Sequence, residues 1–261
     1  MRISSILGTI SVICFCAQIL VGQNTEVDKG VELIKKKDYA SAILLLSQAV
    51  KHDETDPKAW FHLGQSYEAL GKKGDAGRSY YKAFDTGYEV FRETFNKQFE
   101  TKNTRVESLL GFVKSQSDLV SMCINSAGKA AEENTKLSYD NEPRFKTNAL
   151  YQLLKIAESG DAVFWNKDTD KRLKFVKSTY VSDGFDTYPP RREFVIYPKT
   201  VKLLLVIDSD GKVAVAMPIS KTQSWFDLQA MRRVLAYQYE PAQKNGKAVL
   251  TLVRFDYRFS Q

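Results

Sequence analysis

The chain has 261 residues, of which 43% are hydrophobic and 26% charged. These values exclude a disordered, collagenous or multi-span membrane protein and leave enough chain for one or two domains. The formal net charge is +7, but residues 187–261 hold 12 Lys/Arg against 6 Asp/Glu, while residues 23–186 balance at 25 of each. The basic excess therefore belongs to the C-terminal part.

From Met1 to Gly22 the chain carries one charge, Arg2, ahead of an apolar run that ends at Gly22 and gives way to Gln23-Asn24. This pattern predicts a secretory signal over residues 1–22. Leu20-Val21-Gly22 is an indifferent cleavage site, and about 19 residues at about 1.5 Å each just span a bilayer, so an uncleaved anchor over residues 3–21 is the alternative. Either reading exports the rest of the chain. Cys14 and Cys16 lack the small preceding residue of a lipoprotein signal. The remaining cysteine, Cys123, lies in apolar Leu119-Val-Ser-Met-Cys-Ile124 and is expected to be a buried, inert thiol with no disulfide partner.

A period of 34 residues follows the leader: Gly30 matches Gly64, Leu33 matches Tyr67, Ala42 matches Ala76, Leu46 matches Tyr80 and Ala49 matches Ala83. Small residues at fixed offsets between larger apolar ones are what two closely approaching antiparallel helices require. Trp60-Phe-His-Leu-Gly-Gln-Ser-Tyr67, followed by Gly71, Ala76, Tyr80 and Ala83, resembles a tetratricopeptide (TPR) repeat. The unit before it, 23–56, has Glu26 where Trp60 sits but keeps Asp38-Tyr39-Ala-Ser-Ala42. The resemblance implies a helical solenoid whose concave face holds a peptide, with Phe61, Gln65 and Glu68 as the expected contacts. The two-carboxylate clamp of that family is not matched, because Val27 and Val31 stand where it uses Lys and Asn.

Two repeats seldom bury enough surface alone, so more helix is expected up to about residue 160. A third unit can be laid over 104–137, with Gly111, Cys123 and Ala130 in the small-residue slots, if 13 residues are inserted after residue 90; generic packing helices are the alternative. Pro143 at a helix start and Asn148 to Ala157, ending at Ser159-Gly160, predict a further amphipathic helix.

Beyond that point the period changes to two. Val201, Leu203, Leu205 and Ile207 alternate with their neighbours, Asp210-Gly211 makes a tight turn, and Val213, Val215 and Met217 alternate again, which predicts a hairpin. Ser224-Trp-Phe-Asp227 resembles a capping box opening a helix with Leu228, Met231, Val234 and Leu235 on adjacent turns. Asn245-Gly246 signals a second turn, and Val249, Val253, Phe255, Tyr257 and Phe259 share one face of a closing strand.

These residues also resemble the C-terminal domain of TonB-type energy transducers. The likeness rests on Val201 to Val213 with Gly211 at its turn, Phe226-Asp227, Ala230, Arg232-Arg-Val234, Tyr239-Glu-Pro241-Ala242, Asn245-Gly246-Lys and the aromatic end Phe255-Asp-Tyr-Arg-Phe259, with Tyr188-Pro189 upstream. Lys199 departs from the usual glycine. The resemblance implies a ββαβ fold in the periplasm that docks on outer-membrane receptors by pairing a receptor strand with its sheet. Independently of the name, a three-stranded sheet has open edges that offer backbone donors and acceptors. The strand over 249–259 is expected at such an edge, with its odd-numbered residues inward and Leu250, Leu252, Arg254, Asp256 and Arg258 outward. The alternative is an edge covered by residues 161–190. A transducer's cytoplasmic start, anchor histidine and Pro-rich spacer are not matched here.

Asp208-Ser-Asp-Gly211 opens like a calcium loop but lacks the later ligands, so a plain hairpin turn is expected. His52 and His62 are expected to be solvated. No catalytic set, metal site or cofactor motif stands out, so no enzyme and no cofactor is expected. Export argues against nucleic acid, and an anionic membrane surface is the electrostatic alternative for the basic half. The expectation is α+β with two domains: leader 1–22, TPR-like helices 23–160, a connecting segment 161–186 and a TonB-like ββαβ domain 187–261. The expected function is an exported envelope interaction protein with a protein or peptide partner such as an outer-membrane receptor; an energy transducer or a TPR scaffold for envelope assembly are the alternatives.

Overall fold

A computed structural model of the chain describes residues 26–99, 104–133, 141–180, 200–220 and 224–259. Residues 1–22, expected to be a leader, and Tyr188-Pro189 lie outside these residues. The protein is α+β. It divides into two compact units, one of Met1–Gly87 with Asn125–Tyr139 and the other of Tyr88–Ile124 with Asp140–Gln261.

In the first unit, helix α1 covers 26–35, α2 is Tyr39–His52 and α3 is Pro57–Ala69, and α4 starts at Lys73. Each start has a local cause. Asp38 accepts the Ser41 N–H at 3.2 Å ahead of α2, and Asp56 accepts those of Lys58 and Ala59 ahead of α3, with Pro57 at its first position. Two helix ends close alike: Lys37 (φ 62°) and Gly71 (φ 70°) are left-handed, and the next N–H in each case reaches back to Leu33 O or Tyr67 O at 2.9 Å. Lys37 and Gly71 are 34 residues apart, so the period of the sequence recurs in the backbone. It recurs in packing as well. A Cβ on Gly30 would lie 2.7 Å from the Leu46 side chain, and one on Gly64 would lie 2.8 Å from the Tyr80 ring. Around these approaches Ala42, Leu46, Ala49, Ala59 and Leu63 form a buried core.

Helix α4 runs unbroken from Lys73 to Phe99, 27 residues, past the place where a third repeat would turn. Nothing ends it, because Tyr80, Phe84, Tyr88, Phe91, Phe95 and Phe99 continue one apolar stripe, each at most 3% exposed. Helices α5 (Val106–Ser115) and α6 (Ser117–Glu133) follow. Gly111 has nothing within 4 Å of a built Cβ, so it does not take the close-packing part of Gly30 and Gly64. Cys123 is fully buried, and burial pushes its thiol up to about 12. Helix α7 (Asn141–Ser159) has Pro143 in its first turn and ends at left-handed Gly160.

In the second unit a four-stranded sheet has the order β1-β8-β3-β4, where β1 is Val163–Trp165, β3 Thr200–Ile207, β4 Val213–Pro218 and β8 Leu250–Arg258. Strand β3 pairs antiparallel with β4 and with β8, and β1 lies parallel to β8. Helix α8 (Ser224–Leu235) connects β4 to three short strands that precede β8: β5 (Tyr237–Glu240), β6 (Gln243–Lys244) and β7 (Lys247–Ala248). Strand β2 (Lys174–Ser178) pairs antiparallel with β5 in a sheet of its own.

Two expectations are corrected here. Leu203 to Ile207 are all fully buried, so β3 is covered on both faces rather than one. Arg233 of α8 donates to the Tyr257 hydroxyl, and from α4 Asn96 donates to Ile219 O while Phe99 O accepts from Arg254. The last strand is also not an edge along its whole length, because β1 covers its start.

Candidate functional site

Strand β1 lies along Leu250–Leu252 of β8, and at Thr251 and Leu252 the strand also has β3 on its other side. Beyond Leu252 it pairs only with β3 among the described strands. The chain leaves the edge after Trp165 through a single 3-10 turn, Asn166–Asp168. The space it vacates is a cavity of about 370 Å³ lined by Thr104, Trp165, Lys167, Leu252, Val253 and Arg254 and their neighbours. Its walls are fixed. The Trp165 indole N–H donates to Thr104 O at 2.9 Å, and the Arg254 guanidinium lies 4.3 Å from the Phe99 ring and 5.7 Å from that of Trp165.

Of the residues expected to face outward, Arg254, Asp256 and Arg258 are exposed. Leu250 is half-buried and Leu252 only 1% exposed, because both lie where β1 covers the strand. On the opposite face Phe255 meets the Tyr237 ring at 6.0 Å, and Tyr257 meets Phe259 at 4.9 Å.

The residues on which the expected TonB likeness rests lie in the β3–β4 turn, in α8, and in and beside the two small sheets. Gly211 (φ 81°) turns the β3–β4 hairpin with Asp208 Oδ1 accepting the N–H groups of Asp210 and Lys212, an ordinary turn in geometry. Tyr239 packs edge-on to Phe175 at 5.7 Å, and burial pushes its hydroxyl up to about 12. Pro241 and Ala242 join β5 to β6, and fully buried Ala242 accepts the Val249 N–H at 3.1 Å. Asn245 and Gly246, both left-handed, turn β6 into β7. That hairpin is tied to Asp170, which accepts from Asn245 N at 2.7 Å and Lys244 Nζ at 3.0 Å; these two donors hold its carboxyl below the ordinary range. Asp227 is buried in the first turn of α8.

In the first unit, the residues expected to contact a peptide are engaged by the chain itself. Glu68 accepts from the Tyr80 hydroxyl at 2.5 Å and from Lys129 Nζ of α6 at 2.8 Å. Burial pushes the Glu68 carboxyl up, but these donors outweigh it and leave the group below its usual value. Phe61 packs 5.8 Å from the Tyr80 ring, and Ala130 is buried in the same cluster. Gln65 bonds His62 Nδ1 at 2.8 Å, and His52 bonds Glu26 at 3.0 Å.

Among the described residues no group of His, Cys, Asp and Glu comes together that could hold a metal ion, and no helix is long and apolar enough to cross a membrane. Thr104, Trp165 and Lys167 were not legible as site residues. Their one signal is the apolar triplet Val163-Phe-Trp165 after Ser159-Gly160, which is too short to show a period. No protein-family model matches the chain, and no curated protein matches it.

Proposed function

We propose that this is an exported cell-envelope interaction protein, not an enzyme, that recruits a protein partner in the periplasm by pairing an extended segment with strand β8. The reading takes the N-terminal helices as TPR-like and residues 187–261 as a TonB-like domain, whose motifs suggest an outer-membrane receptor as partner. The observation that carries it is the outer side of β8. Strand β1 stops at Trp165 opposite Leu252, while β8 continues to Arg258, so an incoming strand would continue the line of β1 and find backbone donors and acceptors. The cavity beside Trp165 and Lys167 is where its first side chain would lodge.

The test is a photo-cross-linking residue placed at Asp256, Arg258, Phe61 or Gln65 in cells that carry the full chain, with the captured proteins identified by mass. Capture of one defined envelope protein from positions 256 and 258 is the expected result. The same protein captured only from positions 61 and 65 would transfer recognition to the repeats, the scaffold reading that the Glu68–Lys129 contact argues against.

A further inference from the structure

The geometry points to a second surface, strand β2 and the segment leading into it, as a docking site for anionic phospholipid. It is independent of strand pairing at β8.

Every residue of β2 is exposed, and its two large apolar side chains are adjacent: Phe175 and Val176 are each 51% exposed. Phe175 is not loose. Its ring is held edge-on by Tyr237 at 5.1 Å and Tyr239 at 5.7 Å, so exposing it costs little further order. The same stretch is basic, with five Lys/Arg against two Asp over residues 167–177. Lys171 and Lys174 share Glu240 at 3.6 and 3.0 Å, and Asp170 is taken by Lys244. Arg172 and Lys177 have no ion-pair partner among the described residues and are exposed.

Three partners could answer a basic, apolar strand. An acidic strand is disfavoured by the edge itself, because the register of β2 shifts between Phe175 and Lys177, and a bulge with flanking lysines is how proteins blunt an edge against pairing. A nucleic acid would use Phe175 as a stacking platform but has no use for an exposed valine beside it. A membrane surface uses both: aromatic and aliphatic side chains enter the boundary of the acyl region while lysine and arginine reach the headgroups. Neither signal suffices alone, since a short apolar patch holds weakly and a polybasic segment adds attraction only where the lipid is anionic. The patch combines the two, so the expected lipid is anionic, such as phosphatidylglycerol.

The test is amide hydrogen exchange on the full chain with vesicles of equal parts phosphatidylglycerol and phosphatidylcholine, and with phosphatidylcholine alone. Exchange reads each segment separately, so insertion of the apolar N-terminus is not mistaken for docking at β2. Residues 172–178 are expected to be protected by the anionic vesicles only. The double variant Arg172→Gln/Lys177→Gln is expected to weaken that protection roughly 10- to 30-fold in vesicle concentration, and Val176→Ser to weaken it without moving the unfolding midpoint. Equal protection by neutral vesicles, no protection at 172–178 with either, or protection there by a single-stranded oligonucleotide but not by vesicles would each overturn the proposal.

Discussion

The carbonyl of Gly211 accepts a hydrogen bond from the Tyr239 N–H at 2.8 Å, which ties the tip of the β3–β4 hairpin to β5. Gln238 adds a second tie, donating Nε2 to Asp210 O at 2.9 Å. The approach is so close that a Cβ on Gly211 would stand 1.9 Å from Tyr239 O. The glycine is therefore required twice, by its left-handed φ and by the backbone against it.

Gly211→Ala is accordingly expected to destabilise the second unit by about 2–4 kcal/mol, since the tie must break or the hairpin must shift. Gly246→Ala meets the same φ problem with nothing within 4 Å of the added carbon, and should cost about 1 kcal/mol. Denaturant midpoints for the two variants check this, and equal midpoints would mean that the close approach of Tyr239 O to Gly211 adds nothing to the cost.

Gly64 and Gly111 are both helical glycines, yet the same substitution should act with opposite sign. A Cβ at Gly64 strikes the ring of Tyr80, whose hydroxyl is anchored on Glu68, so Gly64→Ala is expected to cost about 1–3 kcal/mol through overpacking. At Gly111 the added methyl meets open space, and Gly111→Ala should stabilise by roughly 0.5–1 kcal/mol through lost backbone freedom in the unfolded chain. Thermal unfolding of both variants reads the two signs directly.

Lys37 holds a left-handed φ of 62° where its counterpart in the next helix pair is Gly71. Lys37→Gly should therefore stabilise the first unit by about 1 kcal/mol, and Gly71→Ala should destabilise it by a similar amount. A fall in midpoint for Lys37→Gly would mean that its side chain contributes more than the strain it imposes.

Glu68 links folding to acidity. Its folded-state carboxyl is lowered, so its contribution is whole above the ordinary carboxylate value of about 4.5 and disappears as pH falls through the lowered one. The stability difference between wild type and Glu68→Gln should thus be constant from neutral pH to about 5 and shrink below about 4.5. Urea titrations at a series of pH values test it; a difference that grows on acidification would contradict the Glu68–Lys129 geometry.

The parts of the fold that could be read in advance were those with local causes. Gly30 and Gly64 show the helix pairs because close approach demands a missing side chain at a fixed interval, and Asp210-Gly211 and Asn245-Gly246 show the turns because few residues accept a left-handed backbone. The double burial of β3 was partly visible, since Leu203-Leu-Leu-Val-Ile207 is a continuous apolar run of the kind that strands covered on both faces carry. Alternation with period two accounts for only one of those faces. What stayed hidden was non-local. Nothing in Val163-Phe-Trp165 names Leu250 as a parallel partner, and nothing in Glu68 names Lys129, 61 residues away. The site at β8 depends on the first of these, so its extent could not be read from the closing strand alone.

The position of β8 sets the order in which the sheet can be finished. It lies between β1 and β3 yet follows both in sequence, so its partners are synthesised long before it. Until Leu250 to Arg258 emerge, β1 has no neighbour among the described strands and the side of β3 that β8 takes stays without it, with Leu203 to Ile207 lacking part of their cover. Long-range pairings of this kind are slow and leave aggregation-prone surface exposed while they wait. Removing Leu250 to Arg258 would take away the strand that joins β1 to the rest of its sheet, and a nascent or unfolded chain will need its apolar strand shielded until that segment is in place.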